Sequence, residues 1–294
     1  MHDPVDGPPF RWELVGPDEL GTMLDGTGEP SLWFMPDLVR CAGRVLARSG
    51  DGDLFFVGRS LDSMFDLLSG ALADLPAPNR VARAPFSFQR RVVPVRRSKW
   101  RRAPLSAEER AAARRLLGGL GITPHALARR ARPAVFVDVV DAGGTFTELF
   151  TLLDEWIVES REPWEVIRKK LRFVGVTVRQ PSSPKTWRWQ QHEPWTRRLP
   201  ARAVLNVSLD PWVWSYFGNH QTKLTRSFRP GDWLAAAEGP RRDEQTRQAL
   251  AEAVAVVAYG RSGDGRRALA RAVHGEPALA QPWLRSLVSQ LNKL

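Results

Sequence analysis

Apolar positions recur along this chain with two periods that alternate. From Pro36 to Ser49, Leu38, Val39, Ala42, Val45 and Leu46 share one face of a 3.6-residue repeat. That spacing predicts a helix, which Gly50 and Gly52 end. Asp53–Val57 (DLFFV) is a short continuous apolar run, as in a strand buried on both faces. Gly58-Arg59-Ser60 then turns into a second helical pattern from Leu61 to Leu75. Ser106 with Glu109 makes a capping box that opens a helix to Leu117, closed by Gly118, Gly119 and Gly121. A short helix is expected over Pro124–Arg130. A strand around Val135–Val137 leads to a helix over Thr147–Ser160, and further strands are expected at Arg172–Val178 and Ala203–Leu209. The tail is helical over Asp243–Tyr259, with shorter helical segments at 265–273 and 282–291.

Strands alternating with helices predict an α/β fold with a mostly parallel sheet flanked by helices. The pattern divides the chain into an N-terminal arm over 1–35, an α/β domain over 36–235 and a helical C-terminal extension over 236–294. The arm, with seven acids and one arginine in its first thirty residues, shows little regular structure. Residues 76–105 are rich in proline and arginine and show no clear period.

Composition narrows the setting more than the chemistry. No apolar run approaches the ~18 residues needed to cross a membrane, and MHDPVDGPPFRWEL does not read as a secretory signal. A cytoplasmic protein with no membrane partner is expected. Cys41 is the single cysteine, so no intrachain disulfide can form, and its helical context makes it a core residue. One cysteine and five histidines do not supply a structural zinc site. The net charge of +11 suits an anionic partner, either nucleic acid or a small ligand with several phosphates. The excess of arginine also suits a high-GC bacterial genome, which weakens that inference.

The chemistry concentrates in Ala134–Thr147, AVFVDVVDAGGTFT. A buried strand here delivers Asp138 and Asp141, then Gly143, Gly144 and Thr145, to the start of a helix. Glycines let the backbone turn tightly and bring N–H groups close to an anion. The helix N-terminus adds its positive end. The alternative is a tight strand-to-helix turn with no ligand. No nucleophile elbow, zinc-protease helix, Walker loop or dinucleotide-binding glycine motif competes with it.

This segment resembles the signature of the phosphoribosyltransferases that use 5-phosphoribosyl pyrophosphate. Two positions depart from that signature: Val137 stands where the first of two acids is usual, and Ala142 where a threonine is usual. The resemblance covers about residues 36–178 and implies a magnesium-dependent transfer of 5-phosphoribose to a nucleobase or specialised small molecule. It implies that Ala142, Gly143, Gly144, Thr145 and Thr147 hold the 5-phosphate. Asp138 faces the ribose hydroxyls, directly or through magnesium, and Asp141 acts near the anomeric carbon. Arg59 and Ser60 take the place of the pyrophosphate loop. The basic run Gln89–Arg102, with Arg97, Lys99 and Arg101, takes that of a lid over the leaving group. A solvated loop and a nucleic-acid backbone site are the other readings of that run; nucleic acid is not the expected partner. Arg179, Asp210 and Trp212 stand where an acceptor would bind, under a hood drawn from 1–35 and 180–235. A homodimer is compatible with the resemblance. The missing acid and threonine also suit a non-catalytic relative that senses a phosphoribosyl or nucleotide ligand.

Overall fold

The computed structural model describes residues 7–16, 20–76, 81–89, 92–96, 99–235 and 239–293, with the backbone alone over 92–96 and 99–102. In chain order the elements are α1 (Met35–Ser49), β1 (Asp53–Val57), α2 (Asp62–Leu72), β2 (Val81–Ala84), β3 (Val92–Arg96), β4 (Lys99–Arg102), α3 (Ala107–Gly119), α4 (Pro124–Arg129), β5 (Ala134–Val139), α5 (Gly144–Glu159), α6 (Trp164–Ile167), β6 (Leu171–Val178), β7 (Val204–Leu209), α7 (Pro211–Ser215), α8 (Glu244–Arg261), α9 (Gly263–His274) and α10 (Pro282–Leu291). Five strands form one all-parallel sheet in the order β2-β1-β5-β6-β7, and β3 and β4 make a separate antiparallel ribbon.

Strand alternation sorts the core into two layers. Leu54 and Phe56 of β1, Val135 and Val137 of β5, and Val174 and Val176 of β6 face one layer with α1, α2, α8, α9 and α10. Phe55, Phe136 and Phe173 face the other, with α3, α4 and α5. Successive side chains of a strand point to opposite faces, so a strand buried on both sides must be apolar throughout. Val137 is therefore fully buried in the first layer, while its neighbour Asp138 points the other way.

The chain differs from the sequence expectation in several places, and within the basic run Gln89–Arg102, read as a loop, β3 and β4 pair as an antiparallel ribbon. Residues 81–84 form an edge strand that the pattern does not announce. The strand is only four residues long, and Arg83 in it is polar but turned to an ion pair with Asp62 (2.9 Å). Before Met35 the N-terminal arm has no helix or strand among its described residues, yet it is packed. Trp12, Leu14 and Leu20 are buried against Leu250, Ala253 and Val257 of α8.

The C-terminal helices belong to the same core. Helix α8 lies backbone to backbone on α2: a Cβ at Gly70 would fall 2.3 Å from the Val257 carbonyl oxygen, and one at Gly260 would fall 2.4 Å from that of Leu67. Any side chain at either position would force the helices apart. Among the described residues, no helix is long and apolar enough to cross a membrane.

Candidate functional site

In a parallel sheet the carboxyl ends of the strands carry the loops, and a ligand crevice opens where the strand order reverses. Chain order here runs from β1 out to β2, then back past β1 to β5. The reversal therefore lies between β1 and β5, and the loops after these two strands are Gly58-Arg59-Ser60 and Val140–Gly143. Both line one cavity of about 500 Å³. Asp138, Asp141, Ala142, Gly143, Gly144 and Thr145 form one side of it, Arg59 and Ser60 another.

The loop after β5 is shaped by Gly143. Its φ of 85° is left-handed, and a Cβ there would sit 2.3 Å from Cε3 of Trp189. Trp189 is itself fixed by an indole N–H bond to Asn206 Oδ1 (2.8 Å). Gly143 thus serves the turn and the packing together. Because it caps the helix, α5 begins at Gly144, three residues earlier than periodicity suggests. The first intrahelical bond to Gly143 comes from the Thr147 N–H (3.0 Å). The N–H groups of the turn before it have no partner within the helix, and Gly144, Thr145 and Phe146 all border the cavity.

Asp138 is buried at the base of this turn. Burial pushes its carboxyl up to about 8, against hydrogen bonds from the Val139 N–H and the Thr145 hydroxyl. Burial thus favours its protonated form. Asp141 is exposed on the rim.

The opposite wall is cationic. Arg59 donates to the Thr225 carbonyl, and burial among Arg83 and Arg229 lowers its pKa while Asp62 resists. Behind it lies a buried ionic network. Arg83 grips Asp62 with two bonds (2.9 and 3.2 Å), and Arg11 meets Asp66 at 2.5 Å and Asp62 at 3.5 Å. Burial pushes Asp62 up, but the guanidiniums of Arg83 and Arg11 outweigh it and hold the carboxyl below its usual range. Asp66 is pushed up to about 7 by burial despite Arg11. Arg59, Lys223 and Arg229 are the basic residues that line the cavity.

The roof comes from residues 218–229, after the last strand. Gly218, Asn219, Gln221, Lys223, Ser227 and Arg229 line the cavity. This segment leaves β7 at one edge of the sheet and reaches β2 at the other, where Phe228 bridges Phe86 and its carbonyl accepts from the Ser87 N–H (2.8 Å). It therefore crosses the carboxyl ends of the strands between them. Sequence reasoning missed Gln221, Lys223 and Arg229. One signal was present: Lys223 is one of only six lysines in a chain with 37 arginines, and it sits in a polar run, GNHQTK, without period.

Other expected site residues lie elsewhere. The Thr147 hydroxyl donates to Glu193 (2.7 Å) and accepts from the Trp195 indole (2.9 Å), one turn into α5 and off the cavity. Asp210 caps α7 by accepting from the Trp212 N–H (3.0 Å) and lies 4.0 Å from Arg179, which also approaches Asp37 at 3.7 Å. Trp212 is exposed. None of Arg179, Asp210 and Trp212 lines the cavity. Lys99 and Arg101 lie on β4, described by backbone alone, and Arg97 lies outside the described residues.

Among the described residues no group of three metal-ligating side chains occurs. Asp138 and Asp141 are the two acidic residues that line the cavity, one buried and one exposed; ionised carboxylate oxygens are the donor type that magnesium takes, and of the two Asp141 is the exposed one. No protein-family model, no curated protein and no solved structure matches this chain.

Proposed function

We propose that this cavity binds 5-phosphoribosyl pyrophosphate with magnesium, and that the chain transfers the phosphoribosyl group to a small-molecule acceptor. The observation that carries the reading is the meeting, at the sheet's switch point, of the two strand-end loops and the N-terminus of α5 over one cavity. The 5-phosphate would lie on the N–H groups of Gly144 and Thr145, where backbone donors and helix dipole favour an anion. Asp138 would meet the ribose hydroxyls as donor or acceptor, depending on its proton. Arg59 and Ser60 would hold the pyrophosphate. Magnesium, held by pyrophosphate oxygens with Asp138 or Asp141, would neutralise part of the leaving group's charge. In the reaction the bond from the anomeric carbon to pyrophosphate breaks, a bond to the acceptor's nucleophilic atom forms, and the acceptor's proton goes to a base; Asp141 is the exposed carboxylate available for it.

A second reading is favoured by Val137. The acid expected at this position is replaced by a side chain locked in the apolar layer, so the site has one carboxylate fewer for turnover. A protein that binds the same ligand without consuming it would look the same.

Titration calorimetry with phosphoribosyl pyrophosphate and magnesium tests the site, on wild type and on Asp138→Asn. Micromolar binding weakened in the variant supports it, and pyrophosphate release with an acceptor panel then separates enzyme from sensor. A well-folded wild type that binds nothing refutes both readings.

A further inference from the structure

Lys223 reaches the cavity wall through an arrangement that begins on the C-terminal helix. The Tyr216 hydroxyl donates to Glu252 Oε2 of α8 (2.7 Å). The Gln221 side-chain N–H₂ donates to the other Glu252 oxygen and to Ser63 Oγ (2.6 Å). Its amide oxygen accepts from Lys223 Nζ (2.6 Å), and the Ser60 carbonyl lies 3.4 Å from the same ammonium. With a carboxylate at one end and an ammonium at the other, the Gln221 amide has one favourable orientation. Both partners of the ammonium are neutral oxygens, and an ammonium has three donors. The remaining N–H belongs to a residue that lines the cavity.

We propose that Lys223 is a ligand-contacting cation that binds a phosphate oxyanion in the cavity, and that Glu252 positions it through Gln221. The proposal rests on the phosphate-ligand reading of the site and adds to it a residue and a reason for the C-terminal helices. A partly buried ammonium held by uncharged acceptors gains most from an anion, because charge-assisted bonds are the strong ones. The groups that face it fit this role. Burial lowers its pKa to about 8, Asp62, Glu252 and Asp66 raise it, and Arg59 lowers it further. Asp138 feels its charge across the cavity. Lys223 therefore loses its charge well below the usual lysine range.

Inorganic pyrophosphate is the first probe, titrated into wild type, K223M, K223R and E252Q from about pH 6 to about pH 10. K223M keeps the apolar stem and places no charge in the wall, so it should fold, which circular dichroism checks. It should bind pyrophosphate about tenfold to a hundredfold more weakly. Wild-type affinity should fall as pH rises through about 8, and K223R should lack that component of the fall. Asp138 and the ionisation of pyrophosphate are common to both proteins, so the difference belongs to Lys223. E252Q removes a charge that favours the ammonium and should move the fall to lower pH. Equal affinity of K223M and wild type overturns the role of Lys223, and an unmoved pH profile in E252Q overturns that of Glu252. Parallel titrations with inorganic phosphate and phosphoribosyl pyrophosphate separate this inference from the broader reading. If the ribosyl ligand binds regardless of Lys223, only the inference falls. If pyrophosphate binds through Lys223 and the ribosyl ligand adds nothing, only the broader reading falls.

Discussion

The buried proton on Asp138 makes a prediction about stability that needs no ligand. In the unfolded chain this carboxyl ionises at its ordinary 3.8, whereas in the fold it keeps its proton to about 8. Between those values the native state binds one proton more than the unfolded state, so stability falls as pH rises. One proton is worth about 1.4 kcal/mol per pH unit, which approaches about 5 kcal/mol by the top of the window. That is comparable to the whole stability of many domains. Asp138→Asn has no proton to lose and removes this slope. The new amide N–H₂ leaves a buried donor, which costs about 1–3 kcal/mol, but equally at every pH. Asp66, also raised by burial to about 7, is present in both proteins and cancels in the comparison. Urea denaturation at a series of pH values from about 4.5 to about 7.5 should show the variant gaining on wild type by about 1.4 kcal/mol per unit. Parallel curves would mean that Asp138 is already ionised in the fold and would refute the reasoning. The same variant should lose affinity for phosphoribosyl pyrophosphate, so a more pH-tolerant protein would be a weaker binder.

Three other substitutions separate packing from ligand contact. Thr147→Val should lower the unfolding free energy by about 1–3 kcal/mol, because the Trp195 indole and Glu193 lose their partner. Ligand affinity measured by calorimetry should not change; a marked loss would return Thr147 to the site. Gly143→Ala meets both a φ of 85° and the ring of Trp189, and should cost about 1–3 kcal/mol in denaturant melts with a shift in tryptophan emission. Gly260→Ala should push α8 off α2, lowering the urea midpoint by the equivalent of about 1–3 kcal/mol and weakening pyrophosphate binding through displaced Glu252.

The α/β class and the central strands were legible because each is a local pattern. DLFFV and AVFV are apolar on both faces, which only a strand between two helix layers needs. The glycines after β5 were legible as a turn, but half their reason was not. Trp189 lies more than forty residues downstream, and nothing local says that its ring will press on Gly143. Val137 was legible as one residue of an apolar run, and its position in the register places it in the apolar layer with α1 and α2. Strand β2 was illegible because the four residues Val81–Ala84 are too few to establish a two-residue alternation.

The cavity roof shows where sequence reading stops and topology takes over. Residues 218–229 follow β7, the strand farthest from the switch point, so chain order gives them no claim on a site between β1 and β5. The sheet order supplies one. A chain that leaves one edge strand and is pinned at the opposite edge by Phe228 and Ser87 must run over the strand ends between, and polar residues on that path face whatever lies beneath. Gln221 and Lys223 are placed by this crossing and then fixed from outside by α8. The C-terminal helices therefore complete the site's wall as well as the core, and shortening the chain before α8 would remove both the support of α2 and the anchor of Gln221.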